Sequence, residues 1–294
     1  MVDWQWASPC GASKRVSSNL FSDFYSAFEN KYRGSPELVT ERLKPYLSFV
    51  LPLAATLQGL PWLDLGCGRG EWLQLLTQHN IACKGVDLHE GFVASCQQQG
   101  LNVQQADALV WLQQQPSHSV LGLSGFHIAE HMPFEVLQAL FQEAMRVLAP
   151  GGLLVLETPN PENLLVGASY FYLDPTHQRP LPRQLLTFMA EHAGFARVKH
   201  LGLQEDACLR ADMAQPASSD LQLIDVLAGV SPDQAIVAQT HTGQTMPASF
   251  EAAWQQHYGL TLHDLALQFD AQQKKVPLEI QAQLAHQQHM LDTL

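Results

Sequence analysis

From about Leu60 to Gly202, short apolar blocks alternate with amphipathic stretches. This rhythm predicts strands near 61–66, 83–88, 103–107, 120–126, 153–158 and 195–201 with helices between them. Such alternation specifies an α/β fold, a mostly parallel sheet wrapped by helices. Upstream, Asn19 to Glu29 and Glu37 to about Val50 have helical spacing, and Ser35-Pro36 between them forms a helix start. Pro150-Gly151-Gly152 ends a long helix and turns the chain into the fifth strand. A polar region from Gln204 to Asp233 then holds one helix at Leu221 to Leu227, and Ala235 to Gln239 supplies a seventh strand. From Pro247 onward the chain is glutamine-rich and amphipathic. Leu262, Leu265 and Phe269 share one face, and Ile280, Leu284 and Leu291 share another after a break expected at Pro277. The pattern therefore divides the chain into an N-terminal helical cap (1–55), a central domain (56–245, with an insertion at 204–233) and a C-terminal helical tail (246–294). The tail is expected to pack on the domain, on a second subunit or on a protein partner, the alternative being a frayed, partly disordered end.

Composition narrows the function. The 294 residues are 46% hydrophobic, enough for a sizeable core, and carry 16 Lys+Arg against 28 Asp+Glu for a net charge of −12. With no basic footprint, nucleic acid and anionic membranes are disfavoured as partners. No apolar run reaches bilayer length and the N-terminus lacks a signal-peptide pattern, so a cytoplasmic protein is expected. Five cysteines, odd in number and without a C-x-x-C pair, argue against a disulfide framework or a zinc–cysteine site.

The apolar run Pro61-Trp62-Leu63-Asp64-Leu65 leads into Gly66-Cys67-Gly68-Arg69-Gly70, and helical residues follow from Glu71. Glycines at a strand-to-helix turn let the backbone approach a ligand, and the helix start gathers free N–H groups. Asp87 ends the next strand about twenty residues on, the offset of a ribose-binding acid in doubly wound folds. Asp107 ends the third strand, where it can also cap the following helix.

The D-x-G-x-G-x-G run resembles motif I of the class I S-adenosylmethionine-dependent methyltransferases, rather than the G-x-G-x-x-G of dinucleotide binders. The resemblance implies a Rossmann-like seven-stranded sheet of order 3-2-1-4-5-7-6 with strand 7 antiparallel, and S-adenosyl-L-methionine as cofactor. It implies a cofactor surface of Asp64, Gly66, Cys67, Gly68, Gly70, Asp87, Leu88, Asp107, Ala108 and Gly125. Tyr25 and Arg33 would fold over it, with Arg33 pairing the methionyl carboxylate.

Methyl transfer to a hydroxyl needs an aligned nucleophile and a destination for its proton. The segment after the fourth strand carries His127, Glu130 and His131, and the loop after the fifth carries Asp174 and His177. Both rise from the sheet edge where ligands bind in open α/β folds. Two mechanisms fit. His131 or His177, oriented by Glu130 or Asp174, acts as general base; or a divalent metal on residues drawn from His127, Glu130, His131 and His177 lowers the hydroxyl pKa. Glu130-His131 resembles the Glu-His step of ubiquinone-pathway O-methyltransferases, some of which use a metal, but His127 stands where those have an acid. The run Tyr172-Leu173-Asp174-Pro175-Thr176-His177 resembles a subgroup associated with bacterial surface polysaccharides, which implies a small-molecule or glycan hydroxyl as acceptor. A nicotinamide-dependent oxidoreductase and a non-catalytic cofactor-binding interaction protein are the competing readings. The first lacks a Tyr-x-x-x-Lys pair.

Overall fold

The structure is a computed structural model that describes residues 27–28, 31–214 and 221–292. Most of the expected Asn19–Glu29 helix, including Tyr25, lies outside the described residues.

Seven strands form one sheet: β1 (Trp62–Leu65), β2 (Cys83–Asp87), β3 (Val103–Gln105), β4 (Val120–Phe126), β5 (Leu148–Pro159), β6 (Arg197–Leu203) and β7 (Asp233–Gln239). Their order is β3-β2-β1-β4-β5-β7-β6, and β7 runs antiparallel to both neighbours. The parallel strands thus end at one edge, and antiparallel β7 begins there.

Period-two alternation explains why the central strands are apolar throughout. Leu154 and Leu156 of β5 face a core shared with Leu63, Leu65, Val86 and Leu123, covered by α5 (Ala108–Gln113), α6 (Phe134–Val147) and α8 (Arg183–Ala193). Leu153 and Val155 face the opposite way, with Trp62, Leu121, Ala235 and Val237. That second core is covered by α1 (Pro36–Leu43), α2 (Leu47–Thr56), α3 (Glu71–Gln78) and α11 (Ala248–Gln255). Phe49 meets Phe250 and Trp254 edge-on, so helices from both ends of the chain seal one face.

Several boundaries differ from the sequence pattern. The helix expected over Glu37 to Val50 is two helices, α1 and α2, separated by a tight turn at Lys44–Tyr46, because Pro45 has no N–H to continue the ladder. Ser35 caps α1 as its spacing predicts, accepting from the Leu38 N–H at 3.3 Å. The Pro150-Gly151-Gly152 turn is absorbed into β5 as an irregularity, where the pairing jumps from Val120–Leu148 to Gly122–Leu153. Between β6 and β7 there are two helices, α9 (Ala207–Ala214) and α10 (Leu223–Ala228), where one was expected. The break at Pro277 is absent, for α12 runs from Leu262 to Asp292. One interior proline costs about 3 kcal/mol, and the Gln, Ala, Lys and Leu residues around it favour helix. Leu265 is buried against α10 with Phe269 beside it, whereas Leu284 is exposed. Among the described residues no helix is long and apolar enough to cross a membrane.

Two further helices complete the frame around the site, α4 (Glu90–Gln98) after β2 and α7 (Leu164–Ala168) after β5.

Candidate functional site

A cleft of about 740 Å³ opens at the carboxyl edge of β1, β2 and β4, within the size range of ligand pockets. Gly66, Gly68, Asp87, Leu88, Asp107, Ala108 and Arg33 line one side, and His127, His131 and Thr176 line the other. A small adjoining cavity is lined by Arg33, Arg42, Asp64, Gly66, Cys67, His127, Glu157 and Asp233.

The glycine loop takes its shape from backbone angles that side chains disfavour. Gly66 has φ +64°, and a Cβ there would lie 2.3 Å from Ile128 Cγ2. Gly70 serves the packing of the loop instead. At φ +85° it begins α3 and seats the loop on α4, where a Cβ would strike Cys96 Sγ at 2.9 Å. Gly125, within β4, does not line the cleft; its missing side chain makes room for Ile128, which does.

Asp87 binds the loop itself. One carboxylate oxygen accepts the Gly68 N–H at 2.9 Å and the other accepts the His89 N–H at 2.7 Å. Each oxygen retains a lone pair for a further donor. Asp107 caps α5 through the Val110 N–H at 2.9 Å and still lines the cleft, so the cap does not remove it from the cleft. Asp64 is buried at the end of a polar chain: the Trp62 indole donates to Ser124 Oγ at 2.8 Å, and that hydroxyl donates to Asp64 at 2.5 Å. Burial raises the Asp64 carboxyl to about 7, against the opposing influence of the Ser124 bond and the Arg33 charge.

The other wall converges from distant parts of the chain. His127 adopts φ +55°, unusual for a residue with a Cβ. Its Nδ1 lies 3.2 Å from Glu130 and its Nε2 3.2 Å from Glu157, with Asp233 at 3.8 Å. Burial alone would depress the His127 pKa, but hydrogen bonds to Glu130 and Glu157 and the Asp233 charge hold it well above the usual histidine range. Asp233 is raised to about 6 by burial despite the opposing His127 charge. The Tyr46 hydroxyl donates to the second oxygen of Glu157. Both ring nitrogens thus face carboxylates, and His127, Glu157 and Asp233 each bring one potential ligand atom within 4.8 Å of the others, in keeping with the place of His127 among the candidate ligands.

His131 sits in the turn after β4. Its Nδ1 lies 2.8 Å from Thr176 Oγ1, which donates to Asp174 at 2.6 Å. Burial lowers its pKa below the ordinary value, with Glu130 and Asp174 opposing and His177 reinforcing the shift. His177 packs edge-on against it with ring centroids 4.6 Å apart, and its Nδ1 lies 2.6 Å from the Phe171 carbonyl. Glu130 is fully buried, lies 4.0 Å from His177, and leaves Oε2 without a hydrogen-bond partner among the described residues. Glu130, His131 and His177 each bring one potential ligand atom within 4.8 Å of the others. Of these three only His131 lines the cleft.

The structure thus brings His127, Glu130, His131, Asp174 and His177 into one cluster, as their loops predict. Tyr46, Arg42, Asp233 and Thr176 join the site without having been singled out from the sequence. Asp233 carries a legible signal: it begins an antiparallel strand, whose start lies at the same edge as the parallel strands' ends.

Residues 37–200 match the family described as a methyltransferase domain. A probable S-adenosylmethionine-dependent methyltransferase of Mycolicibacterium smegmatis is 31% identical over 157 residues, 53% of this chain and 60% of that protein. The chain therefore spans under two thirds of that relative's length. The crystal structure of an S-adenosylmethionine-dependent methyltransferase from Archaeoglobus fulgidus superposes with a TM-score of 0.64 at 30% identity, over 74% of this chain and 100% of that one. The Haemonchus contortus phosphoethanolamine N-methyltransferase 2 shares the fold at 14% identity (TM-score 0.51), over 68% of this chain and 53% of that one.

Proposed function

The chain belongs to the class I S-adenosylmethionine-dependent methyltransferases, and on that premise we propose that it methylates a hydroxyl group of a small molecule or glycan, with His131 as general base. The observation that carries this reading is the position of His131 in the same cleft as Gly66, Gly68 and Asp87, with Nδ1 held 2.8 Å from Thr176 Oγ1 so that Nε2 is the nitrogen we assign to the acceptor.

S-adenosylmethionine fits the cleft: Gly66 and Gly68 give close backbone approach, Asp87 offers a carboxylate for ribose, and exposed Leu88 offers apolar surface to a ring. Arg33, which lines both the cleft and the adjoining cavity, suits the methionyl carboxylate, and buried Asp64 suits its ammonium. When bound, the cofactor supplies an electrophilic methyl group and leaves as a neutral thioether. The protein contributes alignment and proton removal. His131 is neutral at pH 7 because burial depresses its pKa, so Nε2 can take the hydroxyl proton as the methyl–oxygen bond forms, becoming an imidazolium. Nearby Glu130 stabilises that charge.

A sugar acceptor is favoured by Tyr170 and Tyr172. These exposed aromatic faces lie just before the Asp174 turn and can stack on a pyranose ring. We assign the protein to methylation of a bacterial surface polysaccharide or its precursor in the cytoplasm. The test is incubation of the full chain with methyl-labelled S-adenosylmethionine and a panel of sugars, phenols, amines and carbon acids. Label on sugar hydroxyls, lost in His131→Ala, supports the proposal; transfer only to nitrogen or carbon overturns it.

A further inference from the structure

The hydrogen bonds around His131 determine more than which residue is the base. A threonine hydroxyl has one proton to donate. Thr176 Oγ1 lies 2.6 Å from Asp174 Oδ1, the same oxygen that accepts the Thr176 backbone N–H at 2.8 Å. That oxygen acts as an acceptor, so the single Thr176 proton goes to Asp174. At its other contact, 2.8 Å from His131 Nδ1, Thr176 Oγ1 can only accept. His131 therefore carries its proton on Nδ1, and Nε2 keeps a lone pair.

The turn that holds this chain of bonds is fastened to the one bearing His131. The Gln178 backbone N–H donates to the Glu130 carbonyl at 2.8 Å, and the Gln178 side-chain amide donates to the His131 carbonyl at 2.8 Å. Together with the His131–Thr176 bond, these join residues 176–178 to residues 130–131. The charged and titratable groups facing His131 are Glu130 and His127 from its own turn and Asp174 and His177 from the opposing one. None of these carboxylates supplies a direct bond to Nδ1 in place of Thr176.

We propose that Thr176 and Asp174 are positioning residues that set the tautomer of His131, so that a loop distant in sequence decides whether the base can accept a proton. The inference rests on the assignment of His131 as base for its consequence in catalysis, but the tautomer stands on the hydrogen-bond geometry alone. Removing the Thr176 oxygen frees the imidazole to exchange tautomers, whereas removing Asp174 lets the Thr176 proton turn toward Nδ1 and drives the proton to Nε2.

The test is nitrogen NMR on the full chain labelled at histidine ring nitrogens, with S-adenosylhomocysteine bound and no acceptor present. His131 is identified by the signals lost in His131→Gln. The expected result is a protonated Nδ1 and an unprotonated Nε2 in the wild type and in Thr176→Ser. Thr176→Val should give a mixture, and Asp174→Ala a shift toward protonated Nε2. With an acceptor found in the panel, kcat should fall about tenfold to a hundredfold in Thr176→Val, while KM for the cofactor stays within twofold. Thr176→Ser should restore kcat. A wild-type His131 protonated on Nε2 overturns the proposal, as does a Thr176→Val protein with unchanged tautomer and kcat. If the tautomer is as stated but no hydroxyl acceptor is methylated, the positioning stands and the proposed activity falls.

Discussion

The two walls of the cleft are built by different means. On the β1–β2–β3 side, short-range features suffice: glycine dihedrals, a strand-end acid on a loop N–H, an aspartate capping the next helix. On the β4–β5 side, His127, Glu130, His131, Glu157, Thr176 and Asp233 meet only because four separate segments converge. The first wall tolerates little change of backbone. The second depends on charge balance and proton placement among buried side chains. Substitutions on the two walls should therefore fail in different observables, which makes the contrast testable.

The largest effect is expected on the second wall. His131→Ala should reduce methyl transfer by roughly 10²- to 10⁴-fold, the range for a general base, with cofactor affinity measured by calorimetry unchanged. On the proposed mechanism the neutral imidazole is the active form, and because burial lowers its pKa the acid limb of the wild-type rate should lie below pH 6.5. Cofactor affinity that collapses with the rate would merge the two walls into one.

Gly66→Ala tests the first wall. The new methyl would meet Ile128 at 2.3 Å with the backbone at φ +64°, and a loss of about 3 kcal/mol in stability is expected from combined strain and overpacking. Denaturant unfolding checks the value. Adding Ile128→Ala should remove the clash and leave only backbone strain, roughly 1 kcal/mol.

His127 tests charge balance. Removing the imidazole takes away the group that stands 3.2 Å from both buried carboxylates, Glu130 and Glu157. Because His127 is one third exposed, His127→Ala should cost about 2 kcal/mol, less than a fully buried pair. Its folded pKa lies above the unfolded value, so the stabilisation it supplies is complete below about pH 6.5 and is lost as pH rises through the folded pKa. Wild-type stability should decline over that range, and the variant should lack this component of the slope.

The smallest effect is expected for Arg33. Replacing it by alanine should weaken S-adenosylhomocysteine binding about tenfold, the loss of one charge-assisted pair, without altering stability. Unchanged affinity would remove Arg33 from the cofactor wall.

The architecture and the glycine loop are legible along the chain because each rests on interactions between near neighbours. Period-two alternation on the strands, the turn at Gly66 to Gly70 and the strand-end positions of Asp87 and Asp107 are local facts. So is the Ser35 cap. The helix break at Pro45 is equally local, yet the apolar spacing from Glu37 to Val50 masks it. Pro277 misleads in the other direction, because the helix-favouring residues around it outweigh a local penalty. Nothing beside Tyr46 in the chain marks its part in the site, which comes from Glu157, and Asp233 becomes legible only through the direction of its strand, with its partner His127 reached across the sheet.

The sequence by itself determined which residues could do chemistry: two histidines and a glutamate after β4, an aspartate and a histidine after β5. Only the tertiary structure decided their partners. It gave both nitrogens of His127 to carboxylates, turned His131 into the cleft, and pointed the Thr176 hydroxyl at Asp174. The reason is physical: a side chain's charge and tautomer are set by the groups within about 4 Å of it, and folding chooses those groups from distant parts of the chain.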